Sequence, residues 1–197
     1  MLPRDVISAH LIKLPHSIIV GMMKSVLTLC CGLLLAGAVI CSAQGKKAPA
    51  SPPAETSVTI GGKQITIKYA APSMRGRKIF GGLEPYGKVW RAGANAATAL
   101  HTDADLKIGK LNVPKGDYTL FVWLDPDQWQ LIVNKQTGQW GLDYDQSQDL
   151  GRVPMKMSKP PAPIETYRMT LAKESSDTGL LKLEWENTIA SVMFTAK

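Results

Sequence analysis

The sequence has little cysteine and little histidine, and most of both lie near its N-terminus. The three cysteines and three histidines are Cys30, Cys31, Cys41, His10, His16 and His101. Beyond residue 43 only His101 remains, which excludes a disulfide framework, a cysteine nucleophile and a zinc site built from several histidines. No Gly-x-Ser-x-Gly pattern accompanies that histidine, so a serine triad is not expected either. The sequence therefore predicts no catalytic residue and no cofactor.

Runs of like charge are also lacking. The formal net charge is +7, from 23 Lys and Arg against 16 Asp and Glu, but the cations are scattered singly along the chain. Proteins that bind the phosphate backbone of nucleic acids normally carry basic clusters or stripes. The sequence thus predicts no nucleic-acid partner.

The N-terminal part has the order of charged, apolar and small residues that is typical of a secretory signal. An apolar run at residues 26–40 follows Lys24 and ends in Cys41-Ser42-Ala43. Its length of about 15 residues falls short of the roughly 20 that cross a bilayer as a helix. Residues 1–43 are therefore predicted to be a signal peptide, which makes the mature protein secreted or periplasmic without membrane insertion. An alternative start lies at Met22 or Met23.

The next segment separates the signal from the folded part. Residues 44–55 are rich in Lys, Ala and Pro and contain almost nothing to bury, so a disordered linker is predicted there. A single domain is expected to span residues 56–197.

Helical periodicity is missing from this domain, and strand patterns take its place. Residues 57–60 and 64–69 flank Gly61-Gly62, which predicts a hairpin. The runs at residues 118–124 and 131–133 are apolar enough to be buried on both faces and are predicted to form the central hairpin. About ten short strands at regular spacing indicate an all-β fold, an antiparallel β-sandwich or jelly-roll-like single domain.

Residues 72–95 form a glycine-rich stretch that also contains cations and aromatic residues, and an ordered loop is predicted there. Guanidinium groups beside a glycine-rich backbone suit a carboxylate, phosphate or sugar acid. In the alternative, the arginines bond backbone carbonyls of the loop and its tryptophan fills the core. The predicted ligand-binding residues are Arg75, Arg77, Lys78, Trp90, Arg91, Asn95 and Trp140.

Two sets of carboxylates are candidates, one for a metal site and one for catalysis. Asp143, Asp145 and Asp149 lack the glycine and the closing glutamate of a calcium loop, so no metal site is predicted. A pair for glycoside hydrolysis would have to come from Glu84, Asp143, Asp145, Glu184 and Glu186. Of these, Glu184 and Glu186 flank Trp185 in a pattern that predicts exposure.

A set of short motifs carries a resemblance to a known family. The motifs are Ile67-Lys68-Tyr69, Gly76-Arg77-Lys78-Ile79-Phe80-Gly81-Gly82-Leu83, Pro85-Tyr86-Gly87, Val89-Trp90-Arg91, Gly93-Ala94-Asn95, Thr137-Gly138-Gln139-Trp140-Gly141 and Trp185-Glu186. With them the chain resembles the exported bacterial family called domain of unknown function 2911. The resemblance implies a secreted or periplasmic β-sandwich and brings no assigned activity or catalytic residue.

The function expected from the sequence is a non-catalytic binder of a polar or anionic small molecule or glycan. Its expected site is the surface formed by the glycine-rich loop and the loop around Trp140. Two alternatives stay open at this point: a carbohydrate hydrolase that uses carboxylates, and a structural or interaction module of the cell envelope. The oligomeric state does not follow from the sequence.

Overall fold

A computed structural model describes residues 49–197. The predicted signal peptide, residues 1–43, lies outside the described residues, as do residues 44–48 of the predicted linker. Within the described part the chain is almost entirely β, without an α-helix, and forms two antiparallel sheets. The predicted antiparallel β-sandwich is confirmed. Residues 49–197 contain no helix that is long and apolar enough to cross a membrane.

The strands follow one another along the chain, with long connections at residues 71–87 and 135–148 and a 3-10 turn at Gln146–Gln148. They are β1 (Pro53–Ile60), β2 (Lys63–Ala70), β3 (Lys88–Trp90), β4 (Thr98–Thr102), β5 (Leu106–Ile108), β6 (Leu111–Val113), β7 (Gly116–Leu124), β8 (Gln130–Asn134), β9 (Asp149–Pro154), β10 (Lys156–Ser158), β11 (Ile164–Lys173), β12 (Thr178–Glu186) and β13 (Thr188–Ala196). One sheet has the order β1-β2-β4-β7-β8-β9, with β3 beside β7, and the other has the order β11-β12-β13-β5-β6, with β10 beside β13.

Two predicted hairpins are present. Gly61 and Gly62 join β1 to β2 with φ angles of 56° and 76°, which glycine adopts without strain. Strands β7 and β8 pair in the middle of their sheet, with Leu120 opposite Val133 and both side chains buried. Strand β1 starts at Pro53, so ordered structure begins within the segment for which the composition predicts a linker.

Aromatic side chains fill the space between the two sheets. The ring centroids of Trp90 and Trp185 are 6.0 Å apart in a stacked arrangement, and those of Phe80 and Trp129 are 4.5 Å apart, edge to face. Tyr167 packs against Trp90 at 5.0 Å. Such pairs stabilise by about 0.5–1.5 kcal/mol beyond the area they bury. Phe80 and Trp90 thus anchor the glycine-rich loop to the core.

A partial third layer covers the other face of the first sheet. Phe121 and Ile132 face each other across β7 and β8 on that face, and their side chains are 1% and 0% exposed. The ring of Tyr144 lies 5.0 Å from that of Phe121. We call residues 135–148 the cover segment. It bonds to residues 91–97 through the amides of Ala97 and Gly141, which donate to the carbonyls of Gln139 and Asn95.

Candidate functional site

The outer face of β2 and β4 carries a groove beside the cover segment. Two concave regions of about 420 and 410 Å³ adjoin there and share the side chains of Lys68 and Ala99. We call the two regions together the outer groove. Lys68 and Ala99 are paired residues of β2 and β4, and both side chains point away from the sandwich core. Strand alternation therefore builds the floor, and the cover segment contributes one wall.

The first region is polar and contains charged side chains. Its lining includes Thr66, His101, Asp117 and Thr137. The imidazole of His101 lies 2.7 Å from Asp117 through Nδ1 and 3.2 Å from Asp103 through Nε2. These two hydrogen bonds, that to Asp117 first, raise the pKa of His101 above its ordinary value. When protonated, the ring donates a hydrogen bond to each carboxylate, so neither nitrogen is left as a free base.

The second region combines small apolar groups with amides. Residues 94–97 supply alanine methyl groups and the side chain of Asn95, and Gln139 lies beside them, its carbonyl accepting from the amide of Ala97. Asn95 has a φ angle of 61°, which asparagine tolerates better than most residues. Side by side, these groups offer a surface that matches both C–H and hydroxyl groups of a ligand.

The charges along the outer groove nearly cancel. Lys68 has a carboxylate of Glu55 3.8 Å from its ammonium group, and both side chains are largely exposed. At the His101 end, one histidine is flanked by two carboxylates. The groove therefore has no concentration of positive charge that would favour a strongly anionic ligand.

The predicted ligand-binding residues are distributed over three environments. Trp90 is 2% exposed and belongs to the aromatic core. Arg75 donates through Nη2 to the carbonyl of Ala50 at 2.8 Å. Arg77 donates to the carbonyls of Met74 and Ser73, both at 2.9 Å, and Lys78 is exposed. The contacts of Arg77 are those of the alternative in which arginine supports the loop backbone, whereas Arg75 bonds a carbonyl outside the loop.

The other predicted residues are brought together by the cover segment. Asn95 lines the outer groove, and the amide of Gly141 bonds its carbonyl. Trp140 forms an isolated bridge with Ala96, and 51% of its side chain is exposed beside the groove. Arg91 lies under Gly141 and is partly buried. A ligand-binding role for these residues stays a prediction.

The expected exposure of Glu184 and Glu186 is wrong. Both are buried, at 6% and 9% exposure. Glu184 accepts hydrogen bonds from Nε and Nη2 of Arg168, at 2.9 and 3.1 Å. Glu186 accepts from the backbone amides of Ile79 and Phe80, each at 3.1 Å. The glycine-rich loop leaves these amides without strand partners, so the buried carboxylate provides their acceptors.

Asp145 in the cover segment and Asp149 at the start of β9 also have structural partners. Asp145 caps the 3-10 turn by accepting from the amide of Ser147 at 2.8 Å. Asp149 accepts from the hydroxyl of Tyr144 at 2.6 Å and pairs with Arg152. These contacts join the cover segment to the edge of the sheet.

Sequence reasoning missed several residues of the groove. Lys68, Ala99, His101, Asp117 and Gln139 line it but were not proposed as ligand-binding residues. The alternation within β2 and β4 indicates which side chains point outward, and this signal was present. The register that places Thr66 opposite His101 depends on long-range pairing, which a single sequence does not reveal.

Comparison with known proteins gives one match. A family model described as "Protein of unknown function (DUF2911)" matches residues 51–194, which is nearly all of the described part. No curated protein and no solved structure matches the chain.

Proposed function

This chain belongs to the family described as protein of unknown function (DUF2911), and from its geometry we propose that it is a non-catalytic binding protein for a polar, largely uncharged ligand of the sugar type. The ligand occupies the outer groove. The main support for the proposal is that two concave regions adjoin on one floor. Lys68 and Ala99 line both of them. Each region has a volume typical of a site for a small molecule.

The chemistry of the groove supports a ligand that presents both C–H and hydroxyl groups. Methyl groups at Ala96 and Ala99 contact apolar faces of a sugar ring, and the exposed side chain of Asn95 bonds to hydroxyl groups. Lys68 donates further hydrogen bonds from the middle of the floor. Sugars combine these two kinds of surface more closely than fatty or strongly anionic molecules do.

The hydrogen bonds around His101 favour binding over catalysis. A general base needs an unprotonated nitrogen within reach of the substrate. Here both ring nitrogens are within hydrogen-bond distance of carboxylates, so neither is free to face a substrate in the groove. Glu184 and Glu186 are already engaged by Arg168 and by loop amides, which also weakens the hydrolase alternative.

A thermal-shift screen of the full chain tests the proposal. The panel contains neutral oligosaccharides, amino sugars, sugar acids and polyols at millimolar concentration. At 100 times its dissociation constant, a ligand adds about 2.7 kcal/mol to the free energy of unfolding. We expect neutral sugars to raise the melting temperature. A panel without any such shift contradicts the proposal.

We also propose that the protein acts outside the cytoplasm. The support is the order of charge, apolar run and small residues in the first 43 positions. N-terminal sequencing of the protein from its native host is expected to find Gln44 first. A mature form that retains residues 26–40 contradicts export by cleavage.

A further inference from the structure

We propose that Arg91 forms a second binding site, separate from the outer groove, for the carboxylate or phosphate group of a small anion. The site lies where the glycine-rich loop meets the cover segment. Glu84 and Arg91 belong to the glycine-rich loop, and Gly141 belongs to the cover segment. This site goes beyond the sugar-binding function proposed for the groove.

The first observation is an unused hydrogen-bond donor. Nε of Arg91 is buried and has no partner among residues 49–197. A buried donor without a partner costs about 1–3 kcal/mol, and such donors are rare in folded proteins. By contrast, the nearby Arg75 and Arg77 bond backbone carbonyls. Arg91 thus does not serve the backbone as they do.

The second observation concerns the neighbouring carboxyl group. Burial raises the pKa of Glu84, and the positive charge of Arg91 opposes that rise. The two groups are therefore close enough to interact, yet none of the ion pairs within residues 49–197 joins them. Glu84 therefore does not occupy the guanidinium as an ion-pair partner.

The third observation is that the backbone is shaped around the arginine stem. A Cβ atom at position 141 would lie 2.3 Å from Cδ of Arg91 and 2.6 Å from the carbonyl oxygen of Asn95. Only glycine fits there. Ala92 and Asn95 have φ angles of 50° and 61°, a region that is unfavourable for residues with a side chain. Strain of this kind concentrates at functional sites.

The ligand class follows from the chemistry of the guanidinium. Its planar set of N–H donors matches two oxygens of a carboxylate or phosphate and remains charged at any physiological pH. Trp140 and Leu142 are 51% and 73% exposed on either side of Gly141 in the sequence. They offer apolar contact to the rest of a small organic anion.

Anion titrations of the full chain, at constant ionic strength with chloride as background, test this site. The probes are inorganic phosphate, acetate and citrate, and the readout is the melting temperature together with calorimetric affinity. We expect at least one probe to bind wild type and the Arg91→Gln variant to lose at least tenfold in affinity. Arg77→Gln is the matched control, since it removes an exposed loop arginine, and it should bind as wild type does.

Two further variants separate this site from its alternatives. Glu84→Gln removes the competing negative charge and should tighten anion binding several-fold. Ala99→Leu fills the outer groove and should leave anion binding unchanged, which distinguishes failure of the anion site from failure of the sugar-binding proposal.

If Arg91→Gln does not fold, the Nε–Hε resonance of Arg91 in wild type provides the readout and should move on addition of the anion. Binding that survives Arg91→Gln, an immobile resonance, or no response to any probe overturns the inference.

Discussion

Glu186 shows how a single residue joins two distant parts of the chain. Its φ angle is 52°, at the first position of the two-residue turn between β12 and β13, where glycine is the usual choice. The conformation costs about 1–3 kcal/mol. In return, the carboxylate reaches the amides of Ile79 and Phe80 in the glycine-rich loop. A buried acid more than one hundred positions away therefore supports that loop.

Removal of this carboxylate should be costly. In Glu186→Ala, two buried amides lose their acceptor, and we expect the free energy of unfolding to fall by about 2–4 kcal/mol. Urea denaturation measures the change. The control is Glu174→Ala, which alters an exposed glutamate in a turn and should stay within about 0.5 kcal/mol of wild type. Equal midpoints for the two variants would show that the loop does not depend on Glu186.

For single residues, the sequence indicates the chemistry of a side chain better than its burial or its hydrogen-bond partners. The sequence is compatible with Trp90 as a ligand contact or as a core residue, and the structure places it in the core. The burial of Glu186 was not predicted, because its partners are backbone amides of a remote loop. Alternation along β12 gives no sign of them, since the turn takes Glu186 out of the regular pattern.

The elements with the clearest patterns form as predicted. The hairpin of β7 and β8 lies at the centre of its sheet because both strands are apolar on both faces. That pattern also indicates that something must cover the outer face, which holds Phe121 and Ile132. For the cover segment itself, the sequence predicts only a loop around Trp140. Its position depends on Tyr144, whose ring packs on Phe121 and whose hydroxyl bonds Asp149.

The cover segment should respond to alkaline pH through Tyr144. Burial, followed by the hydrogen bond to Asp149, raises the pKa of this phenol from 10.0 to about 12. Because the folded-state pKa is the higher one, the stability linked to the neutral phenol is fully present below pH 10 and decreases as the pH rises through 12. Tyr144→Phe removes this ionisation.

The comparison of wild type with Tyr144→Phe measures this effect. Wild type should lose more stability than the variant between about pH 9 and pH 11.5, as judged by urea midpoints at each pH. Tyr167 is buried and its pKa is also raised, but it is present in both proteins and cancels. Parallel losses in the two proteins would mean that Tyr144 does not link the cover segment to pH.

For the whole molecule, the fold class was within reach of the sequence and the groove was not. Short alternating strands and glycine turns indicate a sandwich, and both can be recognised from local patterns in the sequence. The groove combines β2, β4, β7 and the cover segment, which only the pairing register brings together. Lys68 and Ala99 are neighbours because of that register, and no local pattern in the sequence connects them.

The sandwich also explains why the groove is suited to binding without a large rearrangement. Its two sheets are joined at one edge by side chains: Thr56 accepts from the amide of Leu171 at 3.0 Å, and Tyr69 accepts from that of Met169 at 3.0 Å. These bonds replace strand partners that an edge would otherwise lack. The floor of the groove therefore belongs to a firmly held sheet, which limits the ordering cost of binding.

The central claim is that a polar ligand of the sugar type occupies the outer groove over Lys68 and Ala99. Isothermal titration of the best sugar from the screen into wild type, Ala99→Leu and Thr59→Leu tests it most directly. Both variants place leucine on the exposed outer face of the same sheet, but only position 99 lies in the groove. We predict that Ala99→Leu weakens binding at least tenfold, about 1.4 kcal/mol, while Thr59→Leu binds as wild type does. Equal affinities for all three proteins would contradict the account.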